Sequence, residues 1–216
     1  MMMNLFSTFD PCTGTMSLNW LSSLILLMMF NYNYWMKPNN MENLMMKMFM
    51  SIKDELKIIM PKSGSSIMFI SLGVFILINN LMGLIPYIFT SSSHLVFTLA
   101  LALPMWTAFM MYGWINETNS MFKHLVPMGT PSMLMPFMVL IETISNLIRP
   151  GSLAVRLTSN MIAGHLLMAL LGSSCSSMMT TILMKIFIVL MLFETAVSFI
   201  QSYVFMILTT LYSSEI

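Results

Sequence analysis

Charge is what this sequence most lacks. Lys, Arg, Asp and Glu together make up 8% of its 216 residues, where a soluble domain carries about 25%. A chain so poor in charge cannot solvate its own surface. With 57% hydrophobic residues and a mean hydropathy of +0.83, it belongs in a lipid bilayer. A net charge of +1 gives no footing for nucleic acid. Cysteine is nearly absent as well. Cys12 and Cys175 make neither a metal motif nor a disulfide framework. His94, His124 and His165 show no metal-binding spacing. There is no G-x-x-x-x-G-K-[ST] loop, so a nucleotide-hydrolysing enzyme is excluded for this chain alone. No cofactor is expected.

Methionine, by contrast, is abundant: 30 residues, many where Ile or Leu would ordinarily serve, as in NLMMKMFM. Met-rich surfaces can bind partners promiscuously. Some organelle genetic codes read an isoleucine codon as Met, which accounts for the excess more simply. The opening MMMNLFSTFDPCTGT has no basic region, no small-residue cleavage site and no Arg-rich amphipathic helix. The expectation is a protein made in the compartment where it works.

The pattern of apolar runs predicts an all-α membrane protein forming a single integral domain. Residues 16–36 are long enough for one transmembrane helix. Trp20, Tyr32, Tyr34 and Trp35 suit its interfaces. Residues 41–60 read as an amphipathic surface helix, because Met45, Met48, Phe49, Ile52, Leu56 and Ile59 recur at helical spacing among charges. Two apolar runs, 66–90 and 94–115, form a transmembrane hairpin. The polar stretch 116–131 reads as a loop. Two very long segments, 132–172 and 177–213, complete the chain. At 1.5 Å per residue the first would span about 60 Å, twice the hydrocarbon core of about 30 Å. It must tilt steeply or break, and Pro150-Gly151 permits a kink. Two steeply tilted antiparallel helices would present a broad flank to a curved partner.

Sidedness follows from five basic residues between Lys37 and Lys62. The positive-inside rule puts this region on the inner side. The N-terminus is then outside and the C-terminus inside. No internal repeat supports an inverted-repeat transporter.

In 132–172 the polar residues Glu142, Ser145, Arg149, Ser152, Arg156 and Asn160 step by three or four and form one helical stripe. His165 falls roughly 180° around from Arg156 and faces a different neighbour. In 177–213 a second stripe runs Glu194, Ser198 and Gln201, with Glu215 continuing it. A charge at mid-membrane costs about 2.5–3.5 kcal/mol on insertion scales, so Arg156 needs a partner. It could tie two helices through a buried ion pair. It could instead stand on an ion path as a fixed charge, since guanidinium does not release its proton, while Glu and His relay protons around it.

The stretch LAVRLTSNMIAGHLL resembles the signature of the a-subunit family of F-type ATP synthases, in its mitochondrial form. FILINNLMGLIPY (75–87), PFMVLIETISNLIRP (136–150) and AVSFIQSYVF (196–205) extend the resemblance over nearly the whole chain. The resemblance implies an invertebrate mitochondrial inner-membrane subunit, not catalytic by itself. Its partners would be a ring of c subunits, the peripheral stalk and other membrane subunits of the complex. Arg156 matches the arginine that faces the ring carboxylates. His165 and Glu194 match the intermembrane-side half-channel. Glu142 matches the acid of the matrix-side half-channel, and Glu215 the acid near its exit. Asn160 and Gln201 match polar residues near the arginine. Asn80 matches a polar position on an earlier helix, where Gly83 replaces an acid of bacterial relatives. Arg149 lies outside the signature and has no assigned role. A self-contained proton-coupled transporter and a non-conducting assembly subunit are the other readings of the residues.

Overall fold

The computed structural model describes residues 5–12, 16–24, 36–60, 66–85, 88–126, 129–173 and 180–214. Six α-helices account for most of them: α1 (Asn40–Ile59), α2 (Ser66–Gly83), α3 (Leu95–Asn116), α4 (Thr118–His124), α5 (Met135–Ser173) and α6 (Thr180–Ser214). Short 3-10 segments occupy Leu5–Phe9, Leu18–Leu24 and Ser91–Ser93. Among the described residues there is no strand. Helices α2, α3, α5 and α6 are each long and apolar enough to cross a membrane.

Three expectations change. The span 16–36 falls partly outside the described residues, and its described part, Leu18–Leu24, is a 3-10 helix rather than an α-helix. The first arm of the hairpin ends at Gly83, not at 90. Pro86 lies just beyond; it lacks an N–H and keeps the preceding residue out of the helical region. The supposed loop 116–131 contains α4. Its first turn is closed by the Met121 N–H donating to the Glu117 carbonyl at 3.2 Å. An edge-on contact between Phe122 and Trp114, centroids 4.9 Å apart, folds it back onto α3. Glu215 lies outside the described residues.

Pro150-Gly151 does not break α5, which runs 39 residues without interruption. Pro150 removes one backbone donor, so the Asn146 carbonyl lacks its usual i+4 partner. Burial of Pro150 against the neighbouring helices offsets that loss.

Small and branched residues let the spanning helices close on one another. Ile76 of α2, Ala102 of α3, Leu153, Ala154 and Leu157 of α5, and Phe205 of α6 form one core. Ala154 is fully buried, as a helix crossing at close range requires. A second core joins Leu56 of α1, Met60, Phe69 of α2, Met105 of α3 and Met206 of α6.

Helix α1 starts at Asn39, whose N–H donates to the Glu42 carboxylate at 2.9 Å, one half of a capping box. Only its C-terminal half docks. Leu56 is buried, Tyr203 of α6 donates to the Glu55 carboxylate at 3.0 Å, and Met60 meets Ser213. Met41, Leu44, Met45 and Met46 in the first turns stay exposed.

Candidate functional site

Three contacts fix how α5 and α6 run. Gly164 meets Glu194, the Asn160 amide donates to the Gln201 carbonyl at 3.1 Å, and Arg149 lies over the Tyr212 ring at 5.2 Å. Residue numbers fall along one helix as they rise along the other, so the pair is antiparallel. Of the α5 stripe, Arg149 and Asn160 meet α6, while Ser152 and Arg156 stay exposed. The α6 stripe turns fully inward, with Glu194, Ser198 and Gln201 at most 9% exposed.

At one end of α5, Glu142 and Arg149 form an ion pair, Nη2 to Oε1 3.7 Å. They line a cavity of about 520 Å³ together with His124, Asn146, Trp106, Trp114 and Tyr212. The spacing of seven puts the two charges two turns apart on one face. That spacing was visible in the sequence, but Tyr212 under the guanidinium was not. The Glu142 end of the bundle is also the end where α1 docks, through Met60 and Ser213. The basic residues Lys47, Lys53, Lys57 and Lys123 therefore collect at that end.

Toward the other end lies a second cavity of about 330 Å³. Its polar lining is Asn80, Asn160, Glu194, Ser198 and Gln201. Gly164 makes it possible: a Cβ there would overlap the Glu194 carboxylate. Both carboxylate oxygens of Glu194 are buried without a hydrogen-bond partner among the described residues, and so are both amide atoms of Asn80. Leaving such groups bare is costly. A cavity this size far exceeds the roughly 10–15 Å³ that one water needs, and its polar lining can hold water in place. Asn80, on α2, thus faces the same space as Glu194.

His165 does not line this cavity. Its ring meets Phe9 edge-on, centroids 6.1 Å apart. Its Nε2 is buried without a partner. No hydrogen bond joins His165 to Glu194, because neither carboxylate oxygen has a partner.

Arg156 sits between the two cavities, about 21 Å along the axis from Glu142 and about 14 Å from His165. Its side chain is exposed on the outside of α5, with no ion pair among the described residues. Among the described residues, then, Arg156 ties no two helices together through an ion pair. Ser152, Val155, Ser159 and Asn160 surround it, all exposed. They are shorter than the Leu and Ile of the neighbouring faces.

These features define an apolar helical membrane protein with two cavities that each hold an acid, and an outward-facing arginine between them. The chain matches the family described as ATP synthase A chain over residues 14–214. It is 56% identical to ATP synthase subunit a of Drosophila simulans over 223 residues. It is 53% identical to the same subunit of Locusta migratoria over 224 residues and of Anopheles gambiae over 225 residues. In each case all of both chains is covered. The chain belongs to the ATP synthase A chain family.

Proposed function

We propose that this chain is the proton-conducting stator subunit of an F-type ATP synthase in the mitochondrial inner membrane. It carries two offset half-channels and lies against a ring of c subunits. The observation that carries the reading is Arg156: a permanent charge, exposed on the outside of α5, without an ion pair among the described residues and set between two cavities that each hold a buried or paired acid.

In this reading the Glu194 cavity opens toward the intermembrane space and the Glu142 cavity toward the matrix. The collection of lysines at the Glu142 end supports that sidedness through the positive-inside rule. It puts the N-terminus in the intermembrane space and the C-terminus, with Glu215, in the matrix. Helices α5 and α6, about 58 and 52 Å long, both exceed the bilayer core of about 30 Å. Lying steeply tilted, they spread their polar sites along the curved side of a ring rather than stacking them at one point. The short side chains around Arg156 let a ring helix approach closely. The peripheral stalk and other membrane subunits would hold the chain still while the ring turns.

A proton enters at the Glu194 side, aided by His165 and Asn80, and loads a ring carboxylate. After rotation, a loaded carboxylate meets the Glu142 side and releases its proton. Burial disfavours an ionised carboxylate. The guanidinium of Arg156 opposes that penalty as the emptied carboxylate passes. The same charge repels a proton that would cross directly. Asn160 and Gln201, bonded to each other, hold the helices in register beside it.

Cysteine replacement tests the sidedness, with Cys12 and Cys175 first changed to Ser. Glu194→Cys should react with a membrane-impermeant thiol reagent only from the intermembrane side, and Glu142→Cys only from the matrix side. Labelling of both from one side would overturn the two-half-channel reading.

A further inference from the structure

Seven buried polar atoms lack a partner among the described residues toward this end of the bundle: two of Asn80, two of Glu194, and Nε2 of His165, Oγ of Ser92 and Nε2 of His94. Ser92 and His94 lie in the turn between α2 and α3, outside the half-channel set described above. Thr90, Ser91, Ser92 and Ser93 are all at most 5% exposed. Burying four hydroxyl side chains in succession at the end of an apolar hairpin is unusual, since each brings a polar group that must be satisfied. Thr90 and Ser93 satisfy each other at 2.9 Å, but Ser92 has no partner.

The turn is contiguous with the His165 site. A Cβ on Gly83 would meet Thr90 Cγ2 at 3.1 Å, so Thr90 rests on Gly83. Met161, one turn before His165 on α5, would meet the same Cβ at 3.3 Å. His94 is partly buried and is stacked on Phe89 with centroids 5.2 Å apart. Trp20 covers it from the side, also at 5.2 Å. Ser22 donates to the Phe89 carbonyl at 3.2 Å and pins that cover down.

We propose that the Thr90–His94 turn is the outer mouth of the proton path, with His94 and Ser92 handing protons through bound water toward His165 and Glu194. The aromatic cover keeps lipid out while the imidazole stays reachable from water. Protons pass along hydrogen-bonded water, so one enters at His94 as another leaves toward Glu194 and the chain is unchanged afterward. This proposal rests on the half-channel reading above.

The test uses the assembled complex in vesicles with the catalytic head removed. His94→Phe keeps the stacking on Phe89 and Trp20 but removes both ring nitrogens. It should slow passive proton flux by roughly 100-fold or more, the scale expected when a positioned proton-transfer group is lost. Ser92→Cys, in the background lacking Cys12 and Cys175, should react with an impermeant thiol reagent from the outer side, and the modification should block flux. Parental flux in His94→Phe, or no outside labelling at Ser92→Cys, overturns the proposal. If His94→Phe does not assemble, the labelling decides. Glu194→Gln is measured alongside. If it blocks flux while His94→Phe conducts normally, only the mouth is wrong; if both conduct normally, the half-channel reading falls too.

Discussion

Arg149 and Arg156 lie seven residues apart on α5, close to two turns, so both start from the same side of the helix. Arg149 is answered within the chain: Glu142 lies 3.7 Å away and Tyr212 under the guanidinium. Arg156 is answered by no acid among the described residues and points outward. Identical side chains on one apolar helix thus meet different surroundings: one is neutralised within the chain, and the other faces outward.

The sharpest way to break this comparison is to neutralise each arginine in turn. Arg156→Ala should cut proton-driven ATP synthesis by about 100-fold or more, as loss of one preorganised electrostatic group does. ATP hydrolysis by the detached catalytic head should be intact. Arg149→Gln should cost far less, since a partly exposed ion pair contributes at most about 1 kcal/mol, near fivefold. Equal losses in a synthesis assay would erase the distinction.

The two acids extend the comparison. Glu194 is buried without a partner, while Glu142 is ion-paired. Gly164→Ala leaves both acids in place but drives a methyl into the Glu194 carboxylate. We expect it to reduce passive proton flux by roughly tenfold, from overpacking of about 1–3 kcal/mol. Full flux would mean that the seat on Gly164 is incidental.

The smallest effect belongs to the bond between the helices. Asn160→Ala leaves the buried Gln201 amide short of a partner, which costs about 1–3 kcal/mol. Heating the purified complex should release this subunit at a lower temperature, with flux before heating reduced only modestly. An unchanged release temperature would show that Asn160 does not hold the register.

Much of this was readable from residue types alone. The long segments expected at 132–172 and 177–213 are helices at 135–173 and 180–214, because unbroken apolar runs of that length have few alternatives. The polar stripes were readable too, as was His165 facing away from Arg156. Less legible was whatever depends on the register of one helix against another. Tyr212 beneath Arg149, Gly164 beneath Glu194 and Asn80 in the Glu194 cavity join residues tens of positions apart, and only packing brings them together. Helix α4 was hidden because seven polar residues carry little periodicity, and its Phe122–Trp114 contact is tertiary. Pro150-Gly151 permits a kink without ending the helix, since the cost of one missing hydrogen bond can be offset where Pro150 is buried.

The central claim is that the open charge of Arg156 both favours the emptied ring carboxylate and blocks a direct leak between the half-channels. Vesicles holding the membrane sector, with the head removed and the ring cross-linked to this chain, isolate the leak from rotation. With the parental chain, passive proton flux should be near background. Arg156→Lys should leak slightly, because a buried lysine can lose its proton and its charge. Arg156→Gln, polar but always neutral, should leak freely without any rotation. An Arg156→Gln sector as tight as the parent would contradict the account and place the barrier between the half-channels elsewhere.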